Sequence, residues 1–440
     1  MESVWQAGSE TPKFDILKED AETDVLIVGG GIAGILCAYK LKNAGVKCIL
    51  TEADAVCGGV TGYTTAKITF CHSLIYDKLI KCFGEDSARL YLEAEKSACD
   101  EYAWLCEGID CNYEVKDSYV YSLSDRKKIE NEINALKRLG VNAELSNAEE
   151  LPFETAGAVC VKEQAQFHPL KFLYTIARDL PIYEMRKALE FLPNVVRYEG
   201  GKIKYKKLIV TTHFPILNKH GAFYLKLYQH RSYVLALKGA KTMRGMYVDE
   251  SEKGLSFRNY GDLLLLGGGG HRTGKEGGAW RELEEFAAKY YKGSEIAARW
   301  ATQDCMTLDG VPYIGAYSKS IPDVFVATGF NKWGMTNAMV SANIICDAVM
   351  KKENRYAKVF CPSRSILHPQ LIFNAFESAV GLLTPGAPRC PHLGCALKYN
   401  KSEHTWDCPC HGSRFTENGD LIDNPATGDK ENIRHASSDN

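Results

Sequence analysis

The sequence has no marked excess of either charge. Its 53 Lys and Arg residues and 55 Asp and Glu residues leave a formal net charge of −2. Proteins that bind nucleic acid or anionic lipid usually carry a basic patch or stripe. The balanced, interspersed charges therefore give no reason to expect a polyanionic partner, and we predict that the protein does not bind nucleic acid.

Long apolar segments are also missing. The longest apolar runs, at residues 24–38 and 262–270, are too short and too rich in glycine to span a bilayer. The first twenty residues have neither a basic start with an apolar core nor a twin-arginine pair, as a secretory signal would. We therefore expect a cytoplasmic protein without a membrane span. Its 440 residues suffice for two or three domains.

Paired cysteine spacing is absent from most of the chain. Twelve of the sixteen cysteines are scattered, which is typical of buried, reduced thiols in a reducing compartment. The other four lie with two histidines in residues 390–411, CPHLGCALKYNKSEHTWDCPCH. Three kinds of site compete for this segment: structural zinc, a pair of disulfides and an iron–sulfur cluster.

A nucleotide motif lies near the start of the chain. Residues 24–53, DVLIVGGGIAGILCAYKLKNAGVKCILTEA, have the pattern of strand, glycine turn, helix and strand. Gly29, Gly31 and Gly34 match G-x-G-x-x-G, in which the glycines allow a tight turn, a close pyrophosphate and helix packing on the strand. Glu52 ends the next strand, where a carboxylate can accept both ribose hydroxyls. The motif predicts a dinucleotide site but does not separate NAD from FAD.

Two further segments indicate which dinucleotide binds. Residues 57–69, CGGVTGYTTAKIT, and residues 308–336, LDGVPYIGAYSKSIPDVFVATGFNKWGMT, resemble the D-amino acid oxidase-like family of FAD-dependent oxidoreductases. The resemblance covers about residues 20–355 and implies FAD as the cofactor. It also implies that the N-terminal dipole of the late helix stabilises negative charge on reduced flavin. The cofactor-binding residues that it adds are Thr61, Gly62, Thr64, Thr65, Ala66, Gly329, Gly334, Met335 and Thr336.

Candidate catalytic residues are less well defined. Lys67 lies in the flavin loop, His230 and Arg231 lie in an alternating strand, and His271 and Arg272 follow a glycine run. An arginine can clamp a substrate carboxylate, and a histidine can accept a proton during C–H oxidation. The alternative for each residue is an exposed or internally satisfied polar side chain of a strand, which is the more frequent case.

The cysteine-rich segment holds two mixed ligand pairs, Cys390-x-His392 and Cys408-x-x-His411, fifteen residues apart. A zinc ribbon would offer two C-x-x-C pairs, whereas two cysteines and two histidines are typical of one type of [2Fe–2S] centre. These boxes resemble the Rieske ferredoxin fold, and the HGS and NPATG sequences continue the likeness. The resemblance implies cluster ligation by Cys390, His392, Cys408 and His411, and a disulfide between Cys395 and Cys410. Zinc stays an alternative because Cys and His suit both metals.

The potential of such a cluster follows from its ligands. Imidazole in place of thiolate raises it to about −150 to +300 mV. Ser413 is placed to donate a hydrogen bond to a cluster sulfur, which raises the potential further. High-potential Rieske proteins carry a tyrosine where this chain has Phe415, so we expect a value below the top of the range. Only a connector, and no run of strands, precedes Cys390. We therefore expect the short module to pack against the flavoprotein, which would cover the side that preceding strands would otherwise cover.

The sequence thus predicts an α/β protein in which a Rossmann-type FAD-binding domain is interleaved with an antiparallel-sheet substrate domain, followed by a short all-β Rieske-like module. The oxidoreductase part is expected at residues 1–360. Its FAD-binding pieces are about 20–85, 150–215 and 305–355, and its substrate pieces are about 86–149 and 216–304. A connector at 361–389 precedes the module at 390–440.

The function that fits these parts is an FAD-dependent oxidoreductase acting on a small amine, amino acid or hydroxy acid. Electrons would pass from the flavin to the [2Fe–2S] cluster and then to an unknown acceptor. Two alternatives stay open. In the first, an external donor reduces the cluster and the electrons flow to the flavin. In the second, the protein is a redox sensor or electron carrier whose substrate pocket is vestigial.

Overall fold

The computed structural model describes residues 2–217, 220–251 and 254–430. The α-helices of these residues are α1 (Val4–Ala7), α2 (Ile32–Asn43), α3 (Ile75–Phe83), α4 (Glu85–Cys106), α5 (Arg126–Arg138), α6 (Pro169–Ala177), α7 (Phe223–Lys226), α8 (Ala279–Tyr290), α9 (Gly334–Val349), α10 (Ala357–Phe360) and α11 (Pro369–Leu383). A short 3-10 helix covers Val60–Tyr63.

The strands are β1 (Ala21–Val28), β2 (Cys48–Thr51), β3 (Lys67–Ile68), β4 (Glu114–Ser122), β5 (Ala143–Ser146), β6 (Gly157–Gln166), β7 (Ile182–Tyr183), β8 (Ala188–Leu192), β9 (Val195–Tyr198), β10 (Gly201–Val210), β11 (Leu227–Lys238), β12 (Met246–Asp249), β13 (Ser256–Tyr260), β14 (Leu263–Arg272), β15 (Glu295–Thr307), β16 (Tyr313–Ser318), β17 (Ile321–Thr328), β18 (Lys398–Asn400), β19 (Thr405–Asp407), β20 (Arg414–Thr416) and β21 (Leu421–Asp423).

The first sheet has a parallel centre. Its main strand order is β16, β17, β10, β1, β2 and β7, and β9 joins β10 while β8 pairs with β9. Strands β17, β10, β1, β2 and β7 run parallel, and β16 closes one edge antiparallel. The last four residues of β1 are all buried, because both faces of the sheet are covered. Val25 and Ile27 lie in the cluster that contains α2 and α9, and Leu26 and Val28 lie in a cluster with Val196 and Tyr198 of β9. Helix α2, which follows β1, is itself largely buried and packs against α9.

The second sheet is mainly antiparallel. Its order is β15, β11, β14, β13, β12, β4, β6 and β3, with β5 beside β6. Only the β12–β4 pair among those described runs parallel. The chain alternates between the two sheets, and the segment 150–215 contributes β6 to the second sheet and β7 to β10 to the first. This alternation confirms the α/β fold with an interleaved sheet domain.

The C-terminal part forms a small antiparallel sheet of its own. Strands β18, β19, β20 and β21 follow one another as a meander. Helix α11 precedes the sheet, and Cys390, Cys395, Cys408, Cys410 and Phe415 lie in its small core. The predicted all-β C-terminal module is therefore confirmed. In the part of the chain that the structure describes, no helix is both long and apolar enough to cross a membrane.

Candidate active site and cluster-ligand loops

A cavity of about 1030 Å³ opens at the carboxyl ends of β1, β10 and β17. Ligands of open α/β sheets bind at this edge. The residues that line the cavity include Gly29 and Gly31 after β1 of the first sheet, Tyr233 of the second sheet, and Glu403 and Arg414 of the C-terminal module. One space therefore meets all three parts of the protein.

The glycine turn after β1 lies at one end of this cavity. A Cβ added to Gly34 would lie 2.0 Å from the carbonyl oxygen of Gly29, and one added to Gly29 would lie 2.6 Å from that of Thr211. Gly29 also has a φ of 113°, which favours glycine. The backbone N–H of Gly30 donates to Glu52 Oε2 at 2.6 Å. Only glycine therefore allows this tight turn, and the Glu52 carboxylate holds the turn to the end of β2.

The loop after β2 forms the next part of the wall. The Thr61 hydroxyl accepts from the N–H of Ile32 at the start of α2, at 3.1 Å. The cavity-lining residues of this loop include Thr61, Thr64, Thr65 and Lys67. The other two predicted loop residues, Gly62 and Ala66, do not line the cavity. A Cβ added to Gly62 would lie 2.7 Å from the Cys57 carbonyl oxygen, and Ala66 is buried.

A buried arginine that the sequence motifs do not mark holds this loop. The Arg258 guanidinium donates to the carbonyl oxygens of Thr65 at 2.8 Å and Ala66 at 2.7 Å. Lys67 Nζ donates to Thr65 Oγ1 at 3.1 Å. Burial, with a smaller contribution from Arg258, lowers the pKa of Lys67 to about 7. Arg258 escaped sequence analysis because it lies in the short strand β13, far from any motif.

The turn before α9 closes the wall opposite the loop. Residues 329–335 line the cavity, including Gly329, Gly334 and Met335. A Cβ on Gly329 would lie 2.3 Å from Thr307 Cγ2. Thr336 points away from the cavity, since its hydroxyl lies 2.9 Å from His72 Nε2. Thr336, which the resemblance implies as a cofactor-binding residue, thus supports the turn from the side opposite the cavity.

A buried polar group lies behind the same turn. The His72 ring stacks on Trp333 at 5.0 Å between centroids, and its Nδ1 lies 2.7 Å from the Tyr91 hydroxyl. Glu95 is fully buried, with one carboxylate oxygen 3.8 Å from His72 Nε2. Burial lowers the pKa of His72 to about 3 and raises that of Glu95 to about 8. Both groups are therefore uncharged at neutral pH.

The five candidate catalytic residues lie in different places. Lys67 and Arg231 line the cavity, whereas the buried side chains of His230 and His271 and the half-buried Arg272 are not part of its wall. His271 Nε2 lies 2.9 Å from the Tyr233 hydroxyl. Arg272 Nε donates to the Pro409 carbonyl oxygen at 3.2 Å, and its Nη1 donates to Asn374 at 2.9 Å.

Arg231 is paired within the protein. Its Nε donates to Glu403 Oε1 at 3.0 Å, and the same carboxylate accepts from Arg414 at 2.8 Å and from the Tyr233 hydroxyl at 2.9 Å. Burial would raise the pKa of Glu403, but Arg231 and Arg414 outweigh it and lower that pKa. The contacts of Arg231 and Arg272 join the second sheet to the C-terminal module, so neither guanidinium is available as a carboxylate clamp.

The predicted ligand residues of the module converge in two matching loops. The Gly394 N–H donates to the Cys390 carbonyl oxygen, and the Gly412 N–H donates to that of Cys408, each at 2.9 Å. Both glycines have positive φ, 78° and 85°. The two loops thus have the same backbone closure, four residues after each cysteine.

The four side chains form two pairs, one of thiols and one of imidazoles. The thiols of Cys390 and Cys408 lie within hydrogen-bonding reach of each other, which lowers the pKa of Cys390 to about 7. The rings of His392 and His411 lie 5.0 Å apart at 89°. Burial lowers the pKa of His392 to about 4 and that of His411 to about 3, so both imidazoles are neutral. The site therefore offers two thiols and two imidazole lone pairs.

The other two cysteines clasp the loops. The Sγ atoms of Cys395 and Cys410 are bonded to each other in the structure. The Ser413 hydroxyl accepts from the Ala426 N–H at 3.0 Å and hydrogen-bonds the Cys390 thiol. A disulfide thus joins the two ligand loops, and the Ser413 hydroxyl lies beside the proposed ligand Cys390.

Comparison with known proteins matches both parts of the chain. The model of the family described as "FAD dependent oxidoreductase" matches residues 24–348. The chain belongs to this family. A second model, "Rieske [2Fe-2S] domain", matches residues 380–434 of this oxidoreductase. The protein is therefore an FAD-dependent oxidoreductase with a C-terminal Rieske domain, and the FAD and [2Fe–2S] predictions are confirmed.

Three relatives illustrate the likeness. The oxidoreductase is 36% identical to the putative Rieske 2Fe-2S iron-sulfur protein YhfW of Bacillus subtilis (strain 168), over 97% of this chain and 96% of that one. It is 24% identical to gamma-glutamylputrescine oxidoreductase of Escherichia coli (strain K12), over 78% of this chain and 87% of that one. The crystal structure of glycine oxidase from Geobacillus kaustophilus covers 79% of this chain and all of its own, with a TM-score of 0.67 and 18% identity.

The residues present fit both cofactors. Gly29 and Gly34 let the turn pack against backbone without side chains in between, and Gly29 and Gly31 line the cavity at the start of α2, where backbone N–H groups suit the pyrophosphate of FAD. In the module, His411 Nδ1 is buried and has no hydrogen-bond partner among the described residues. A buried polar atom without a partner is costly, and a metal ion would satisfy it. Cys390, Cys408, His392 and His411 are the residues that would hold the cluster.

Side chains of the second sheet of the oxidoreductase pack against the ligand loops of the module. Gln229 Nε2 donates to the carbonyl oxygens of His411 at 2.9 Å and Asn424 at 3.0 Å, and its Oε1 lies 3.1 Å from His213 Nε2. Gln303 Nε2 donates to the Gly412 carbonyl oxygen at 2.9 Å. These glutamines lie in β11 and β15. No local motif marked them, because their partners are 109 to 195 residues away.

Proposed function

We propose that this oxidoreductase oxidises a small amine, amino acid or hydroxy acid in the cavity, and that the electrons leave through the Rieske domain to an acceptor still to be identified. The shared cavity carries the proposal, since Gly334 of the flavin turn and Glu403 of the module line one space. Bound FAD supplies hydride acceptance, and the [2Fe–2S] cluster supplies one-electron transfer. Gln229 supports the relay because it joins His213 in the cavity wall to the ligand loop of His411.

The charges of the cavity wall favour an amine among these substrates. Arg231 and Arg414 both donate to Glu403, so they do not attract a substrate carboxylate. The wall also holds Asp249 and Asp304; burial raises the pKa of both carboxyl groups, and a substrate ammonium group beside them would stabilise their charged form. Among the relatives, the Escherichia coli protein is named for an amine substrate.

An open cavity supports an enzyme rather than a sensor with a vestigial pocket. The volume of about 1030 Å³ leaves room for a substrate beside FAD. Lys67 places an amine with a pKa of about 7 in the wall, where it can accept a proton during substrate oxidation.

An anaerobic screen of amines, amino acids and hydroxy acids tests this function. A substrate should bleach the flavin absorbance and then produce the electron paramagnetic resonance signal of the reduced cluster. Bleaching without cluster reduction would refute the relay. Iron and zinc should be measured on the same sample, and zinc without iron after anaerobic expression would refute the cluster.

A ligand variant provides the control for electron direction. Cys390→Ser should lose the cluster signal but still show flavin bleaching by substrate, because the cavity is intact. With the wild type, a one-electron donor added without substrate should reduce the cluster and leave the flavin oxidised at first. If that donor reduces the flavin rapidly and no compound of the screen does, the reverse flow is the better description.

A further inference from the structure

Helix α11, between the oxidoreductase part and the module, turns its polar and small residues inward. Asn374 is buried and accepts from Arg272, and Glu377 pairs with Lys275 at 2.7 Å. A Cβ added to Gly381 would lie 2.7 Å from Cys410 Sγ, so this residue packs directly on the disulfide. These contacts fix which side of the helix faces the protein.

The outward side is apolar. Exposed fractions are 73% for Ile372, 63% for Phe373, 64% for Phe376 and 81% for Leu383. We call the whole surface the α11 face; its large exposed residues are Leu367, Ile372, Phe373, Phe376, Val380, Leu382, Leu383 and Leu393. Single exposed apolar residues are normal, but a contiguous group of this size marks an interaction site.

The area of the α11 face matches one half of a stable protein interface. A large apolar side chain offers on the order of 150 Å² when fully exposed. Eight such side chains, roughly two thirds exposed, present on the order of 800 Å², which is what each partner contributes to an interface of standard size. Residues 431–440, ENIRHASSDN, lie outside the described residues and contain one large apolar residue, so their composition does not suit them to cover it.

The spacing along the helix identifies the kind of partner. Phe373, Phe376, Val380 and Leu383 follow one another at intervals of three, four and three residues, which are the a and d positions of a helix-pairing seam. Exposed Ala379 beside this seam allows a second helix to approach closely. A helix that lies on a lipid surface usually carries Lys or Arg on its polar side, and α11 contains neither.

We propose that two copies of this protein pair through their α11 faces around a two-fold axis. The face is uniformly apolar, so it complements a copy of itself, as a two-fold interface requires. Leu393, which follows the proposed ligand His392, is 45% exposed, and a Cβ added to its neighbour Gly394 would lie 3.9 Å from Cδ2 of Leu382 in the α11 face. The pairing therefore places the ligand loops of both copies beside the interface.

The oligomeric state of the holoprotein tests this proposal. Sedimentation velocity over a range of concentrations should give twice the mass of one chain for the wild type. The double variant Phe373→Glu and Phe376→Glu should sediment as a monomer and keep the flavin and cluster absorbance, since both side chains are exposed. A matched control replaces Trp104 and Leu189, which are 65% and 63% exposed elsewhere, by Glu and should stay dimeric.

A cross-link tests the same contact without disturbing the seam. Ala379→Cys, made together with Cys82→Ser to remove an exposed thiol, should form a covalent dimer on mild oxidation. A wild type that is monomeric at every concentration would overturn the proposal, and so would a dimer that persists in the double glutamate variant. Binding of a monomeric wild type to neutral phospholipid vesicles would show that lipid covers the face instead.

Discussion

Lys67 combines a place in the cavity wall with an amine that titrates near neutrality. Burial lowers its pKa to about 7, so Nζ becomes able to accept a proton as the pH rises through that value. We expect the rate of flavin reduction at saturating substrate to rise with pH around 7 in the wild type. Lys67→Met should abolish this inflection and lower the rate by about 10²- to 10⁴-fold, as measured by anaerobic stopped-flow absorbance.

The matched control for Lys67 is Lys187→Met, which changes another lysine of the same cavity at the end near Glu52. It should retain the inflection near pH 7. An inflection that persists unchanged in Lys67→Met would show that another group accepts the proton.

Ser413 tests how a single hydroxyl tunes the cluster. Its hydrogen bond to Cys390 stabilises negative charge on the sulfur, and the reduced cluster carries more of that charge. Ser413→Ala should therefore lower the midpoint potential. A hydrogen bond worth about 1 kcal/mol corresponds to roughly 40 mV for one electron. A redox titration followed by electron paramagnetic resonance measures the shift, and Ser413→Thr, which keeps the hydroxyl, should restore most of it.

Glu95 makes stability depend on pH through burial. Its pKa is about 8 in the folded protein against 4.5 in a freely solvated chain, so the folded state binds the proton more tightly. The stability that this proton provides is complete below pH 4.5 and is lost as the pH rises to about 8. Glu95→Gln should therefore change stability little at pH 5 and increase it by on the order of 3–5 kcal/mol at pH 9.

Thermal unfolding at the two pH values measures the Glu95 effect. The control is Glu107→Gln, which lies exposed at the end of the same helix and should leave the difference between pH 5 and pH 9 as in the wild type. If Glu95→Gln and the wild type have the same melting temperature at pH 9, ionisation of the Glu95 carboxyl does not destabilise the folded protein at that pH.

At the scale of elements, the sequence predicted what local chemistry determines. The strand, turn and helix around Gly29 follow from a glycine pattern that sterics impose, and the ligand loops follow from the spacing of Cys and His. The roles of Gln229 and Arg231 could not be predicted, because each depends on a partner more than 170 residues away. A polar side chain in an alternating strand looks the same whether it faces water, a substrate or another domain.

The two ligand loops offer a matched pair of substitutions. Gly394 and Gly412 have the same position and similar positive φ, but a Cβ on Gly412 would lie 2.6 Å from Gln229 Cβ, whereas the nearest atom to one on Gly394 is 3.9 Å away. Each change to Ala costs about 1–2 kcal/mol for its backbone. Gly412→Ala should cost about 1–3 kcal/mol more, because it pushes the loop off β11. Cluster content and the melting temperature measure the difference.

Equal losses in the two glycine variants would contradict the contact with Gln229. A double variant, Gly412→Ala with Gln229→Gly, provides the complementary check, because glycine at position 229 removes the Cβ, Cγ and Cδ atoms that the added methyl group would approach to 2.6, 2.8 and 2.9 Å. Measured against Gln229→Gly alone, Gly412→Ala should cost less than it does in the wild type.

At the scale of the whole molecule, the Rieske domain and the flavoprotein behave as one structure. The module has four short strands among the described residues, and β11 and β15 of the second sheet pack against its ligand loops. The Arg231–Glu403 pair crosses this contact and is almost fully buried, at 3% and 4% exposure. A small module with so little core of its own depends on such contacts for its stability.

We therefore expect the cluster and the flavin to be lost in one thermal transition. Visible circular dichroism should report the cluster and fluorescence the released flavin, with coincident midpoints in the wild type. Arg231→Leu leaves the Glu403 carboxylate with one cation fewer in a buried site, which costs about 3 kcal/mol or more at this contact. The cluster signal should then disappear at a lower temperature than the flavin is released.

The control for this separation is a pair that lies outside the contact. Arg126 and Glu130 form an exposed ion pair at 3.0 Å within the flavoprotein part, so Arg126→Leu should cost at most about 1 kcal/mol and keep the two midpoints together. Midpoints that are already well separated in the wild type would contradict the single structure. Midpoints that stay coincident in Arg231→Leu would show that the buried pair does not hold the module, and the glutamine contacts of β11 and β15 would then have to carry the coupling alone.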